Sequence, residues 1–264
     1  MPPSHPDKAL VAIRFSNRAA TYDDVTPVQT QLWQSLAAQI GSHAFSGNPT
    51  DILELGCGTG SLTEWLHCTH PAARITALDL AHDMVAATNR RCPGVQALVA
   101  DAEDYVQQAQ GPWDLICSSA TVQWFSRPGE TLQGCRKLLR PGGLLAISTF
   151  GDATFHELRE AFAAVEPDGG RVLHPPSTAS WRTLFPDADM QESFIAQTFP
   201  NVRAFLASVQ MAGANSASQE STRPLRRSTY AAMLREYESR FAAPSGGITA
   251  TYHLITLCLR AHMP

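Results

Sequence analysis

Residues 51–60 read Asp-Ile-Leu-Glu-Leu-Gly-Cys-Gly-Thr-Gly, a short apolar strand running into glycines at 56, 58 and 60. A helical pattern follows at once, from Ser61 to Cys68. No other stretch constrains the chain as tightly. Glycine lacks a Cβ atom, so the backbone can turn sharply there and come close to a ligand. The helix beyond adds unpaired N–H groups at its start. A strand, a glycine loop and a helix in that order belong to an open α/β sheet, whose ligand crevice lies beyond the carboxyl ends of its strands.

The spacing of the loop decides between ligands. The dinucleotide fingerprint G-x-G-x-x-G requires glycine at position 61, where this chain has Ser61. Glu54 lies beside the loop, and a carboxylate there repels a pyrophosphate but attracts a cation. S-adenosylmethionine carries both a sulfonium and an ammonium, so it suits the loop and a nicotinamide dinucleotide does not.

The alternation continues along the chain. Strands are predicted at Arg74–Leu80, Val95–Val99, Trp113–Ser118 and Leu144–Thr149, with helices at about 82–91 and 130–139. Arg140-Pro141-Gly142-Gly143 reads as a turn. Alternating short apolar strands and helices argue for a parallel sheet covered on both faces. Upstream, 9–23 reads as a short amphipathic helix entering a loop. Val28, Leu32, Leu36 and Ile40 mark one face of a second helix. After Phe150 helical patterns at 154–165, 201–212 and 228–242 are separated by breaker-rich pieces. Phe194–Thr198 reads as a strand, and the β-branched run Ala250–Leu259 as the closing one.

Acidic residues recur at the strand ends. Asp79, followed by Leu80, is placed to accept bonds from two ribose hydroxyls. In Asp101-Ala102-Glu103, the Asp101 carboxylate is a candidate acceptor for an adenine amino group, and Met84 a candidate packing partner for the adenine ring. With Glu54, Gly56, Cys57, Gly58, Gly60 and Ser118, these residues form the expected cofactor site.

Composition narrows the partners. The 264 residues are 44% hydrophobic and carry a formal net charge of −4, so the overall balance calls for neither nucleic acid nor an anionic membrane. The six cysteines form no C-x-x-C pair and have no zinc-site spacing, so free core thiols and no metal are expected. The N-terminus lacks a signal-peptide pattern and no window is apolar enough to span a bilayer, so the expected compartment is the cytoplasm.

Together, Glu54–Gly60, Asp79, Asp101-Ala102 and Leu139-Arg140-Pro141-Gly142-Gly143 resemble the class I methyltransferases. The fold this resemblance implies is Rossmann-like, a seven-stranded, mostly parallel sheet with an antiparallel last strand and a helical lid insertion. One domain over 1–264 is expected. Residues 1–45 would lie over the cofactor, 50–150 form the binding core, 152–230 the lid, and 231–264 the last helix and strand. Arg14-Phe15-Ser16-Asn17-Arg18, Tyr22-Asp23, Ser118–Phe125, Gly213-Ala214-Asn215 and Thr251-Tyr252-His253-Leu254 extend the likeness. Over nearly its whole length the chain resembles the malonyl-acyl-carrier-protein O-methyltransferases of biotin synthesis.

That family's reaction, carried over as implication, transfers a methyl group from S-adenosylmethionine to the free carboxylate of malonyl-acyl carrier protein, leaving S-adenosylhomocysteine. No general base is needed, because a carboxylate with a pKa of roughly 4 is already ionised at neutral pH. Tyr22, Gln123, Trp124, Arg227 and His253 are the candidate substrate contacts. Arg14, Arg18, Arg203 and Arg226 are further candidates for a carboxylate clamp. The cluster Arg223-Pro224-Leu225-Arg226-Arg227, with Arg235 and Arg240, would dock an acidic carrier protein. Two alternatives stay open: another small-molecule carboxyl methyltransferase, acting for example on trans-aconitate, and a non-catalytic S-adenosylmethionine-binding protein.

Overall fold

The computed structural model describes residues 6–43, 48–166, 172, 175–212 and 225–261. Gly213-Ala214-Asn215 and Arg223-Pro224 lie outside the described residues.

Seven strands form one sheet in the order β3-β2-β1-β4-β5-β7-β6. They are β1 (Asp51–Leu55), β2 (Arg74–Asp79), β3 (Gln96–Val99), β4 (Trp113–Ser119), β5 (Leu139–Phe150), β6 (Asp189–Phe199) and β7 (Ile248–Arg260). β1 pairs in parallel with β2 and β4, and β7 runs antiparallel to both β5 and β6. Every residue of β1 is buried, as a strand with covered faces and two neighbours requires. From β1 the chain winds outward through β2 and β3, then returns to the other side of β1 as β4. That reversal opens a crevice beyond the strand tips of β1 and β4.

Helices cover both faces. In chain order they are α1 (Lys8–Ser16), α2 (Tyr22–Val25), α3 (Pro27–Ser42), α4 (Ser61–Thr69), α5 (His82–Arg91), α6 (Ala102–Gln108), α7 (Pro128–Leu138), α8 (His156–Val165), α9 (Thr178–Leu184), α10 (Val202–Met211) and α11 (Arg227–Arg240). Val28, Leu32, Leu36 and Ile40 of α3 are all buried, so the four-residue step marks the packed face. Pro27 starts this helix, where its missing N–H costs nothing. Beyond the sheet's late strands, α8, α10 and α11 pack on the start of β7 through Leu158, Phe205, Met233, Tyr237 and Ile248.

The structure departs from the sequence reading at several elements. Arg140–Gly143 is a bulged start of β5 rather than a free turn, since Trp113 pairs with Leu139 and Leu115 already with Leu144. Gly142, at φ 77°, absorbs the extra length. β6 extends from Asp189, well before Phe194, pairing along its whole length with β7. Its N-terminal half is polar and exposed because it is an edge, which hides it from a search for apolar runs. The short helices α2, α6 and α9 were not anticipated.

Phe205 is fully buried between Phe155, Phe199 and Tyr237. Replacing it with Ala should cost about 3–5 kcal/mol through lost transfer energy and an unfilled cavity. Urea unfolding of Phe205→Ala would show this as a lower midpoint with a near-normal slope.

Candidate active site

Three left-handed glycines shape the loop after β1: Gly56 at φ 78°, Gly58 at 55° and Gly60 at 90°. Gly56 N and Cys57 N donate to Leu78 O at 2.7 and 2.8 Å, so the loop folds back over the tip of β2. A Cβ on Gly56 would stand 2.1 Å from Thr121 Oγ1, so no side chain fits. Gly58 N donates to Asp79 Oδ2 at 2.9 Å, and Ala81 N to Asp79 Oδ1 at 2.8 Å. Each Asp79 oxygen therefore keeps lone-pair capacity toward the crevice.

Glu54 is 1% exposed, and its Oε2 accepts a 2.6 Å bond from Thr63 Oγ1. No cation pairs with it among the described residues. Burial pushes its pKa up to about 7, opposed by the Thr63 bond and reinforced by the charge of Asp79. Asp79 is also raised by burial, against the pull of its backbone N–H donors. Buried carboxylates in this state leave a place for a positive ligand.

The crevice continues past Cys57, Leu80 and Met84 to Asp101 and Ala102. Asp101 caps α6 by accepting from Glu103 N at 2.9 Å. Lys8 of α1 bridges Asp101 Oδ2 and Glu103 Oε2, each at 2.5 Å. A second tie holds α2 to the glycine loop. Asp23 accepts from Thr59 Oγ1 at 2.5 Å and from Arg91 Nη2 at 2.6 Å, while Arg91 Nη1 donates to Ser61 Oγ. The N-terminal helices thus cover the crevice from both ends.

Beside it lies a cavity of about 740 Å³, walled largely by apolar side chains such as Val28, Phe150, Phe155, Phe199, Leu206 and Tyr252. Phe15, Tyr22, Gln29, Ala120 and Trp124 line both spaces. Phe15 packs edge-on against Tyr22 and Trp124, with ring centroids at 6.1 and 5.7 Å. Ala120 adopts φ 51° at this junction, a conformation that costs energy for a residue with a Cβ. The crevice and the larger cavity thus share one wall.

Residues 53–147 match the family model described as a methyltransferase domain. The malonyl-[acyl-carrier protein] O-methyltransferase of Anoxybacillus flavithermus is 39% identical, covering 94% of this chain and 96% of its own. That of Brevibacillus brevis is 34% identical, covering 94% of each. The chain belongs to the malonyl-[acyl-carrier protein] O-methyltransferase family. Among solved structures, the YcgJ protein of Bacillus subtilis shares the fold at TM-score 0.60 and 11% identity, over 88% of this chain and 100% of that one. The plantazolicin methyltransferase BpumL in complex with SAH does so at TM-score 0.53 and 15% identity, over 97% and 96%. The protein is an S-adenosylmethionine-dependent O-methyltransferase.

In this methyltransferase most of the anticipated donor residues converge. Glu54, Gly56, Cys57, Gly58, Asp79, Leu80, Met84, Asp101 and Ala102 all line one crevice. Gly60 serves one step back, as the cap residue before α4. Ser118 does not reach the site: its hydroxyl points into the sheet and donates to Leu55 O at 2.7 Å, while Ser119, Ala120 and Thr121 line the crevice. Glu103 is turned inward, where its carboxylate accepts from Ser126 N and Arg127 N at 2.8 and 2.7 Å. It fixes the loop behind Trp124 instead of touching ligand.

Of the substrate candidates, Tyr22, Gln123 and Trp124 line the acceptor chamber. Gln123 spends its amide on Ala120 O at 2.7 Å and accepts from Thr149 Oγ1 at 3.1 Å, so it holds the junction's backbone. His253 lines neither space. It is buried against Phe194, with Nε2 3.1 Å from Glu192 Oε2, and Gly151 lies so close that a Cβ there would collide with it. Arg227 begins α11 on the surface, away from both linings. Lys8, Gln29 and Trp33 line the crevice without having been anticipated, and Asp23, from the Tyr22-Asp23 likeness, lines it with them. Among the described residues no cluster of His, Cys, Asp and Glu could hold a metal, and no helix is long and apolar enough to cross a membrane.

Glu54 yields a sign-specific pH test. Its pKa in the folded protein lies above the ordinary carboxylate value, so its contribution to stability is complete in acid and is lost as pH rises through about 7. A cationic ligand reverses this by favouring the ionised form. Binding of S-adenosylhomocysteine, which retains the ammonium, should weaken as pH falls from 8 to 6 and release about half a proton at pH 7. Calorimetry in buffers of different ionisation heat measures that release, and Glu54→Gln should abolish it.

Proposed function

We propose that this chain methylates the free carboxylate of a malonyl thioester carried on acyl carrier protein, in biotin synthesis. The observation that carries the reading is its 39% identity, over nearly the whole chain, to a protein named for that reaction. The site supports it. When bound, S-adenosylmethionine supplies an electrophilic methyl group on a sulfonium. Glu54 would meet its ammonium, Asp79 its ribose hydroxyls, and Asp101 with Ala102 its adenine edge. The residues shared by the two spaces would keep water away from the junction and hold the acceptor in line.

The chemistry asks little else of the protein. The carboxylate oxygen attacks as the anion, the C–S bond breaks with its electron pair passing to sulfur, and no proton moves. The described lining of the acceptor chamber contains no Asp, Glu, His, Lys or Arg. Its length and apolar walls suit an extended acyl-bearing arm. α8, α10 and α11 would form the cap over that arm, opening to admit it.

Docking belongs to the same proposal. Arg226 and Arg227 stand exposed at the start of α11, near exposed Arg203, which stacks on Tyr230 at 5.6 Å. Arg240 contributes less free charge because Glu160 and Glu236 pair with it at 2.5 and 3.7 Å. An acidic carrier protein would meet the first group.

Methyl transfer from labelled donor to malonyl, succinyl and acetyl carrier protein, and to free malonate and trans-aconitate, tests the reading. Malonyl carrier protein should be the best acceptor, and acetyl carrier protein, which has no free carboxylate, should be inert. A preference for the free acids would overturn it. Changing both Arg226 and Arg227 to Glu should raise KM for the carrier-bound acceptor about tenfold, the size of a modest interfacial charge effect. Affinity for S-adenosylhomocysteine should stay the same.

A further inference from the structure

A carboxylate acceptor would ordinarily be held by arginine, whose planar fork matches it. Here, among the described residues, neither the acceptor chamber nor its shared wall presents any cation. Three residues of the shared wall carry neutral donors: Tyr22 a hydroxyl, Gln29 a side-chain amide and Trp124 an indole N–H. Among the described residues none of these three groups has a hydrogen-bond partner, although all three residues are half-buried. By contrast, the nearby Gln123 amide is fully engaged with Ala120 O and Thr149 Oγ1. None of the three is sealed away from solvent, so each stays free to donate to a ligand entering the shared wall.

The positions of the three donors are fixed independently. Gln29 projects from α3, one residue beyond the buried Val28. Tyr22 is held by the Asp23 tie to Thr59 and Arg91, and Phe15 wedges between Tyr22 and Trp124. Burial and the charges of Asp79 and Asp23 raise the Tyr22 pKa, which keeps its hydroxyl a donor.

We propose that Gln29 is a substrate-contacting, specificity-determining residue, holding the acceptor carboxylate with Tyr22 and Trp124 through neutral hydrogen bonds. The inference rests on the carboxyl-methyl-transfer reading above and deepens it. Its physical logic lies in the charge change of the reaction. A cationic donor and an anionic acceptor become two neutral groups, so charge fades on the way to the transition state. A fixed guanidinium would stabilise the starting anion more than the transition state, lowering KM but also kcat. Neutral donors orient the same oxygen atoms while forfeiting less on reaction.

The experiment compares the wild-type chain with Gln29→Glu, Gln29→Met and Gln29→Arg, each with malonyl carrier protein as acceptor. Gln29→Glu keeps the shape but sets an anion against the substrate's, and should raise KM at least tenfold. Gln29→Met should lower kcat/KM several-fold. Gln29→Arg should lower KM and kcat together, a split that a merely structural role for Gln29 would not produce. Thermal midpoints and calorimetric binding of S-adenosylhomocysteine show that each variant is folded with its donor seat intact. Wild-type activity with kcat/KM within twofold in Gln29→Glu, or a raised kcat in Gln29→Arg, overturns the role of Gln29 alone. A wild-type chain that binds S-adenosylhomocysteine but does not methylate the malonyl carrier fails the functional reading, and the inference falls with it.

Discussion

Two carboxylates, Glu54 and Asp79, stand at neighbouring strand tips beneath a loop that only glycine can form, and no cation of the described protein neutralises Glu54. Much of the site follows from that arrangement. β1 and β2 must be parallel and in register to bring the two acids together. Gly58 must be left-handed for its N–H to reach Asp79. Burial stores an electrostatic demand in Glu54 that a ligand ammonium can satisfy, converting a local destabilisation into binding energy. A phosphate-bearing cofactor would increase that cost, so the same feature also sets specificity.

The acceptor side is built on the opposite principle. Where the donor seat holds unpaired negative charge, the adjoining chamber presents aromatic and aliphatic surface with amides and hydroxyls but no formal charge among the described residues. An anion entering that chamber would lose water without gaining a counter-ion from the described wall, and a bound cationic donor would offer it one. Placing the charge on the ligand rather than on the protein draws acceptor to donor and lets that attraction vanish as the methyl group moves. Product release then meets no residual ion pair.

The donor half of this design was legible in the sequence because it consists of local backbone demands. Glycines at 56, 58 and 60 and acids at 54, 79 and 101 each answer to a strand end or a left-handed turn, which a linear pattern reveals. The acceptor half was legible only at Tyr22, Gln123 and Trp124. Gln29 looks like an ordinary polar position on an amphipathic helix, as Lys8 does on the crevice side, and only packing shows which flank of each helix faces the ligand spaces. Ser118 failed for a related reason. Along a strand, side chains alternate faces, so choosing Ser118 over Ser119 turned the hydroxyl away from the ligand. His253 was ambiguous because a histidine in an apolar strand can serve chemistry or structure. The stacked Phe194 and the Glu192 carboxylate assign it to structure. The Gly151 contact confirms how little room is left around it.

The two halves meet through the N-terminal helices, which belong to neither. Asp23 grips the glycine loop through Thr59 while its neighbour Tyr22 faces both spaces, and Lys8 grips the adenine-side acids while Phe15, two turns on, wedges the junction. Each helix therefore touches a donor-binding element with one residue and the acceptor wall with another. A donor bound in the crevice would lie against the first contact, beside residues that also line the acceptor wall. Lys8 pairs with Asp101 and with the buried Glu103, so this end of the cover is held more firmly than an exposed ion pair would hold it.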